Sequence, residues 1–171
     1  MPSITVNTTL STTALTSVAA TIYTLVASGS YSHAEGNTTI ASGSSSHAEG
    51  SKTRASGNFS HAEGESTIAS GTSSHAEGYN TSASGGFSHA TGYKTKANGD
   101  YSWANGYNTI ATGDYQTVIG KYNVSDTTSL FIIGNGTSTA ARSNAMTVDT
   151  NGYLTANKVY GSVWNDYAEY R

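Results

Sequence analysis

Four copies of His-Ala-Glu stand in the chain, as His33–Glu35, His47–Glu49, His61–Glu63 and His75–Glu77. An imidazole and a carboxylate two residues apart can share a proton or ligate a metal. His-x-Glu is part of the zinc deaminase signature, but that site also needs cysteine ligands, and the chain has no cysteine. A Ser/His/Asp triad has no better support. Every histidine, His89 included, falls in a periodic column, and repetition is not how single catalytic sites are built. The chain is therefore expected not to be an enzyme. Buried charge is costly unless paired, so the preferred reading is a His–Glu hydrogen-bond network packed between chains. An axial metal is its rival, and no metal or other cofactor is expected. If each His donates to a Glu of a neighbouring chain, its pKa should rise above about 6.5.

Aromatic residues repeat in the same way. Tyr79, Tyr93 and Tyr107 hold one repeat position; Tyr31, Phe59, Phe87, Tyr101 and Tyr115 hold another, interrupted by Ser45 and Ser73. Such ladders steady a rod by coil-to-coil packing, which is the preferred reading. Tyr79, Tyr93 and Tyr107 are also candidate contacts for a glycan. Six N-x-[ST] triplets carry little weight in a chain so rich in Asn, Ser and Thr.

The element behind these columns is a short repeat. Glycine recurs every 14 residues from Gly36 to Gly134, and a second column runs from Gly29 to Gly113. The unit between them is best preserved as Ala41-Ser42-Gly43-Ser44-Ser45-Ser46-His47-Ala48-Glu49-Gly50. Fourteen residues are too few for a helical-repeat unit. Two glycines per period and no apolar a/d stripe exclude a coiled coil. Two short strands and two turns fit, which predicts strands centred on A-S-G and S-H-A-E-G with glycines in the turns. Stacked at about 4.8 Å, eight coils would make a rod of roughly 38 Å.

Strand alternation then assigns faces. Ser46, Ala48 and Gly50 would line a narrow interior, with His47 and Glu49 pointing out. An interior of Ala, Gly and Ser buries little apolar area at roughly 25 cal/mol per Å², against about 1–2 kcal/mol of backbone entropy per residue. Several rolls are therefore expected to pack along the His/Glu face. That face turns apolar toward Gly134: the His column continues as Trp103, Thr117 and Phe131, and the Glu column as Thr91, Asn105, Ile119 and Ile133. Leu130-Phe131-Ile132-Ile133 would be an exposed apolar strand on one chain alone.

Composition supports a narrow repetitive β-structure over disorder. Of 171 residues, 36% are hydrophobic, 10% aromatic and 11% charged, with net charge −3 and one proline. Eight Lys plus Arg give no basic stripe for nucleic acid. No apolar run approaches the roughly 20 residues of a membrane span. The first basic residue is Lys52, so Met1–Gly29 lacks the charged start of a secretory signal.

The tandem S-H-A-E-G units, with Thr117-Val118-Ile119-Gly120 in the same register, resemble the head repeats of trimeric autotransporter adhesins. That resemblance implies an all-β, homotrimeric, left-handed parallel β-roll over residues 27–134. It also implies a trimer interface at the positions of the family's Val and Ile: His33, Glu35, His47, Glu49, His61, Glu63, His75, Glu77, His89, Trp103, Ile119, Phe131 and Ile133. Residues 1–26 are read as an attachment or starter segment. Residues 135–171 are read as a neck with a short β-hairpin turning at Asn151-Gly152. Phe131–Thr137 with Ala141–Met146 is similar to segments of phage tail-fibre proteins. Asn165-Asp166-Tyr167-Ala168-Glu169-Tyr170-Arg171 resembles the opening of the self-cleaving chaperone domain of phage appendages, whose catalytic residues lie further on. The leading expectation is a fibre or tail appendage of a phage-like particle that contacts the host surface, through a glycan or protein receptor. It would join other virion proteins through its N-terminus. The alternative is the head of a trimeric adhesin on a bacterial surface.

Overall fold

The computed structural model describes residues 25–157. The starter segment up to residue 24 and the Asn165–Arg171 ending lie outside the described residues. Among the described residues the protein is all β. Fourteen-residue coils wind into a parallel solenoid of about eight turns. Seven short strands line one side: β1 (Val26–Ala27), β3 (Ile40–Ala41), β5 (Arg54–Ala55), β7 (Ile68–Ala69), β9 (Ser82–Ala83), β11 (Lys96–Ala97) and β13 (Ile110–Ala111). The other side holds β2 (His33–Asn37), β4 (His47–Ser51), β6 (His61–Glu65), β8 (His75–Tyr79), β10 (His89–Tyr93), β12 (Trp103–Tyr107), β14 (Thr117–Lys121) and β15 (Ser129–Asn135). These pair in parallel at a shift of 14, as in His47↔His61 and Ala48↔Ala62. Two antiparallel strands, β16 (Asn144–Asp149) and β17 (Leu154–Ala156), extend the second sheet to ten strands. Gly152, at φ +83°, turns between them.

Four columns of small side chains fill the interior. Two are alanines, ending in Val118 and Ile132 on the long-strand side. The third is Ser46, Ser60, Ser74, Ser88 and Ser102, all buried. Each of these Oγ atoms donates to the carbonyl of the glycine three residues earlier, at 2.6–2.7 Å, as Ser60 does to Gly57. The fourth, Thr39 to Thr109, was not foreseen as interior, yet every member is buried.

The coil differs from expectation at its corners. Only the alanine of A-S-G is in a strand; the Ser and Gly fall in the turn, because the short strand is two residues long. Gly50 does not line the interior: it is exposed at φ +103°, bending the chain out of the sheet. Both glycine columns also serve close approach, and a Cβ on Gly50 would lie 2.1 Å from the Gly64 carbonyl oxygen. A Cβ on Gly43 would lie 2.0 Å from the Gly57 carbonyl oxygen of the next coil. The left-handed turn positions themselves fall on side chains with Cβ, such as Lys52 (φ 57°) and Phe59 (φ 59°). Such a φ is costly for bulky residues and persists only where surroundings enforce it. Here each N–H is tied to the preceding coil, Lys52 to the Asn37 carbonyl at 2.7 Å and Phe59 to that of Ser44 at 2.8 Å.

The last coil is closed by side chains. Asn123 takes the next place in the threonine column; its Oδ1 accepts from the Ile110 N–H at 2.8 Å and its Nδ2 donates to the Ile110 carbonyl at 2.9 Å. Gln116 follows the serine column, accepting from Thr112 N–H and donating to the Ser129 carbonyl. These two amides replace the backbone partners that another coil would supply. β16 covers the edge of β15, so the apolar strand is less open than expected. Ile132 is fully buried, Phe131 and Ile133 are half-buried, and Leu130 is exposed.

Candidate functional site

The long strands project two parallel ladders from one face. In-register pairing puts His33, His47, His61, His75 and His89 in one column and Glu35, Glu49, Glu63, Glu77 and Thr91 beside it. The imidazoles of His47, His61, His75 and His89 stack with centroids 4.6–4.8 Å apart. His33 meets His47 edge-on at 5.0 Å, and Trp103 continues the stack beyond His89 at 6.1 Å. The Glu side chains and the backs of Gly36, Gly50, Gly64 and Gly78 form an open groove along the rod.

The intrachain His–Glu network is largely unmade. His33 Nε2 lies 3.5 Å from Glu35, but His47–Glu49 and His75–Glu63 stand at 3.9 Å, beyond hydrogen-bond reach. Nε2 of His47, His61, His75 and His89 is shielded from solvent and without a hydrogen-bond partner. Within one chain His61 and His75 are shifted opposite to the expectation for inter-chain pairing. Burial pushes the pKa of His61 and His75 down, and neighbouring imidazoles in the stack push it further.

The carboxyls instead interact along the rod. Hydrogen bonding to Glu49 and Glu77, with burial and their negative charge, raises Glu63 to about 7. Glu49 is lowered, chiefly by the hydrogen bond from Glu63. Glu77 is lowered first by the hydroxyl of Thr91, which donates to it. Among the described residues, three side-chain clusters bring ligand-type atoms together: His33/Glu35/His47, Glu49/His61/Glu63 and Glu63/His75/Glu77.

Further along, the same face carries Trp103, which is 45% exposed, then half-buried Ile119, Phe131 and Ile133. The tyrosines lie at a neighbouring position of the same strands. Tyr79, Tyr93 and Tyr107 stack at 5.1 and 4.6 Å, so their ring faces are turned on one another. A sugar approaching from the side would meet ring edges and hydroxyls. Phe87, Tyr101 and Tyr115 make a second stack at 5.0 Å.

Coil length, parallel register and the outward paired columns define a parallel β-solenoid. Residues 62–120 match the YadA head domain repeat, in overlapping spans 62–88, 83–109, 90–115 and 97–120. The matched coils are similar to YadA head repeats, and the paired outward columns from His33 to His89 carry His or Glu throughout. No curated protein matches the chain.

Proposed function

We propose that this chain is the head of a trimeric, adhesin-type surface fibre, non-enzymatic, whose His/Glu face packs against two sister copies. The observation that carries the reading is one continuous face of the ten-stranded sheet. It runs from half-exposed His and Glu ladders to Trp103, Ile119, Phe131 and Ile133. Contiguous exposed apolar surface of that kind marks an association site. The repeat type that the coils match supports a three-fold arrangement. The same match supports a cell-surface adhesin ahead of the phage-particle fibre that the tail-fibre-like segments suggested. Residues 1–26 would then anchor or start the rod, residues 135–171 would form its neck, and a host-surface glycan or protein would be the receptor.

Sedimentation equilibrium tests the assembly. The expected species has three times the chain mass. Ile119→Lys, which puts a charge in the apolar stretch, is expected to shift the population to smaller species. A stably folded single copy at micromolar concentration would end this reading.

A further inference from the structure

We propose that the His/Glu face binds divalent first-row transition-metal ions, Zn²⁺ foremost, in clusters that each lie within one chain. The central clusters, Glu49/His61/Glu63 and Glu63/His75/Glu77, offer one imidazole nitrogen and two carboxylate oxygens each. The first cluster, His33/Glu35/His47, offers two imidazoles and one carboxylate. Both are ordinary donor sets for zinc, with three protein ligands and a fourth position open to water.

The distances favour a shared ion over direct pairing. Ligating atoms within each cluster lie within 4.8 Å of one another. Two ligands on one zinc ion, each at about 2.0–2.2 Å, stand about 3.3–3.6 Å apart in a tetrahedral shell. Small rotations of half-exposed side chains close that difference. The His75 Nε2–Glu63 Oε1 separation of 3.9 Å is too long for a hydrogen bond but near the span of two ligands on one ion.

A second observation points the same way. The Nε2 atoms of His61 and His75 are closed off from solvent with nothing to bond. A shielded polar atom without a partner is rare enough to need an explanation, and a bound ion is one. The coil repeat also accounts for where the clusters stop. Each central cluster takes Glu from one coil and His plus Glu from the next. Thr91 breaks that pattern above His89, and its hydroxyl donates to Glu77 instead.

All the ligands of a cluster come from one chain, so this inference does not rest on trimer formation. Imidazole selects against hard cations, so Mg²⁺ serves as the control. The full chain, stripped with chelator, is dialysed against Zn²⁺ or Mg²⁺, with circular dichroism and sedimentation on the same samples. At least one tightly held Zn²⁺ per chain is expected, with no comparable uptake of Mg²⁺. Glu63→Gln removes a ligand from both central clusters. It is expected to weaken uptake at those clusters by at least about tenfold, the scale that even outer-shell changes reach, with the spectrum unchanged. Thr91→Glu, which restores the pattern above His89, is expected to add uptake. Zn²⁺ uptake by the wild type no greater than by His61→Gln/Glu63→Gln/His75→Gln would overturn the proposal, whatever the sedimentation result.

Discussion

The imidazoles of His61 and His75 stack in successive coils with centroids 4.8 Å apart and planes within 2° of parallel. Burial holds both below the usual 6.5, and the charge of stacked neighbours adds to it, His75 and His47 acting on His61 and His89 on His75. A histidine lowered on folding binds fewer protons in the native state than in the unfolded one. Its contribution is complete above about 6.5 and is lost as pH falls through the folded value. Thermal melts in chelator are therefore expected to show the wild type losing stability relative to His61→Gln/His75→Gln below pH 6.5. Parallel pH profiles for the two proteins would contradict the stacking account.

Glu63 carries the opposite sign. Its carboxyl, hydrogen-bonded between Glu49 and Glu77, is raised to about 7 from 4.5. The native state thus holds a proton that the unfolded chain has released over that window, and stability declines as pH climbs from 4.5 to 7. Glu63→Gln keeps a neutral donor at every pH. The wild type should gain on this variant as the solution is acidified from neutrality toward pH 4.5. A stability difference that does not change with pH there would mean that Glu63 is ionised throughout.

Much of this was legible because a solenoid writes its geometry into its period. Glycine spacing sets the coil length, and alternation through Ser46-His47-Ala48 correctly puts His47 outside and Ala48 inside. What escaped had weaker signals. Thr53 and Thr67 are inside because a two-residue strand turns them inward, whereas Thr reads as a surface or turn residue by type. Gly50 breaks the alternation because its positive φ bends the strand, which parity counting cannot detect. Asn123 and Gln116 close the last coil, yet in sequence they look like two polar residues among many. The Tyr79–Tyr93–Tyr107 column was found by spacing alone, but the turning of its faces on one another needed coordinates.

The buried threonines give a stabilising substitution. Thr67 is fully buried and its Oγ1 has no hydrogen-bond partner. A buried hydroxyl left unpaired costs about 1–3 kcal/mol in protein mutational series, and a methyl of the same shape does not. Thr67→Val is expected to raise stability by about 1 kcal/mol in chemical denaturation, with the coil stack unchanged. A loss of similar size would show that the hydroxyl is satisfied in solution.

The amide of Asn123 gives the reverse case. It holds both the N–H and the carbonyl of Ile110 at the open end of the short-strand sheet. Asn123→Ala leaves both backbone groups unpaired in a part-buried position, a loss of about 1–3 kcal/mol. Amide exchange should accelerate first at Ile110 and Ala111, where β13 begins to fray, and little at β5. Uniform acceleration along the rod would point to global rather than end-local destabilisation.

Gly85 and Gly86 are adjacent, yet they should respond oppositely to one methyl group. A Cβ on Gly85 would sit 1.9 Å from the Gly99 carbonyl oxygen, which is backbone of the next coil and cannot move without breaking the 14-residue register. A Cβ on Gly86 meets nothing nearer than the Asp100 carboxylate at 3.5 Å, an ordinary contact with an exposed side chain. Neither glycine has a positive φ, so backbone strain does not separate them. Gly85→Ala is expected to cost about 3 kcal/mol or more, the upper range for overpacking, because the coils must part. Gly86→Ala should stay within about 0.5 kcal/mol of wild type, as surface substitutions usually do. Denaturation midpoints of the two variants decide the matter: similar midpoints would mean that coil spacing yields locally, and that the glycine column is not what sets it.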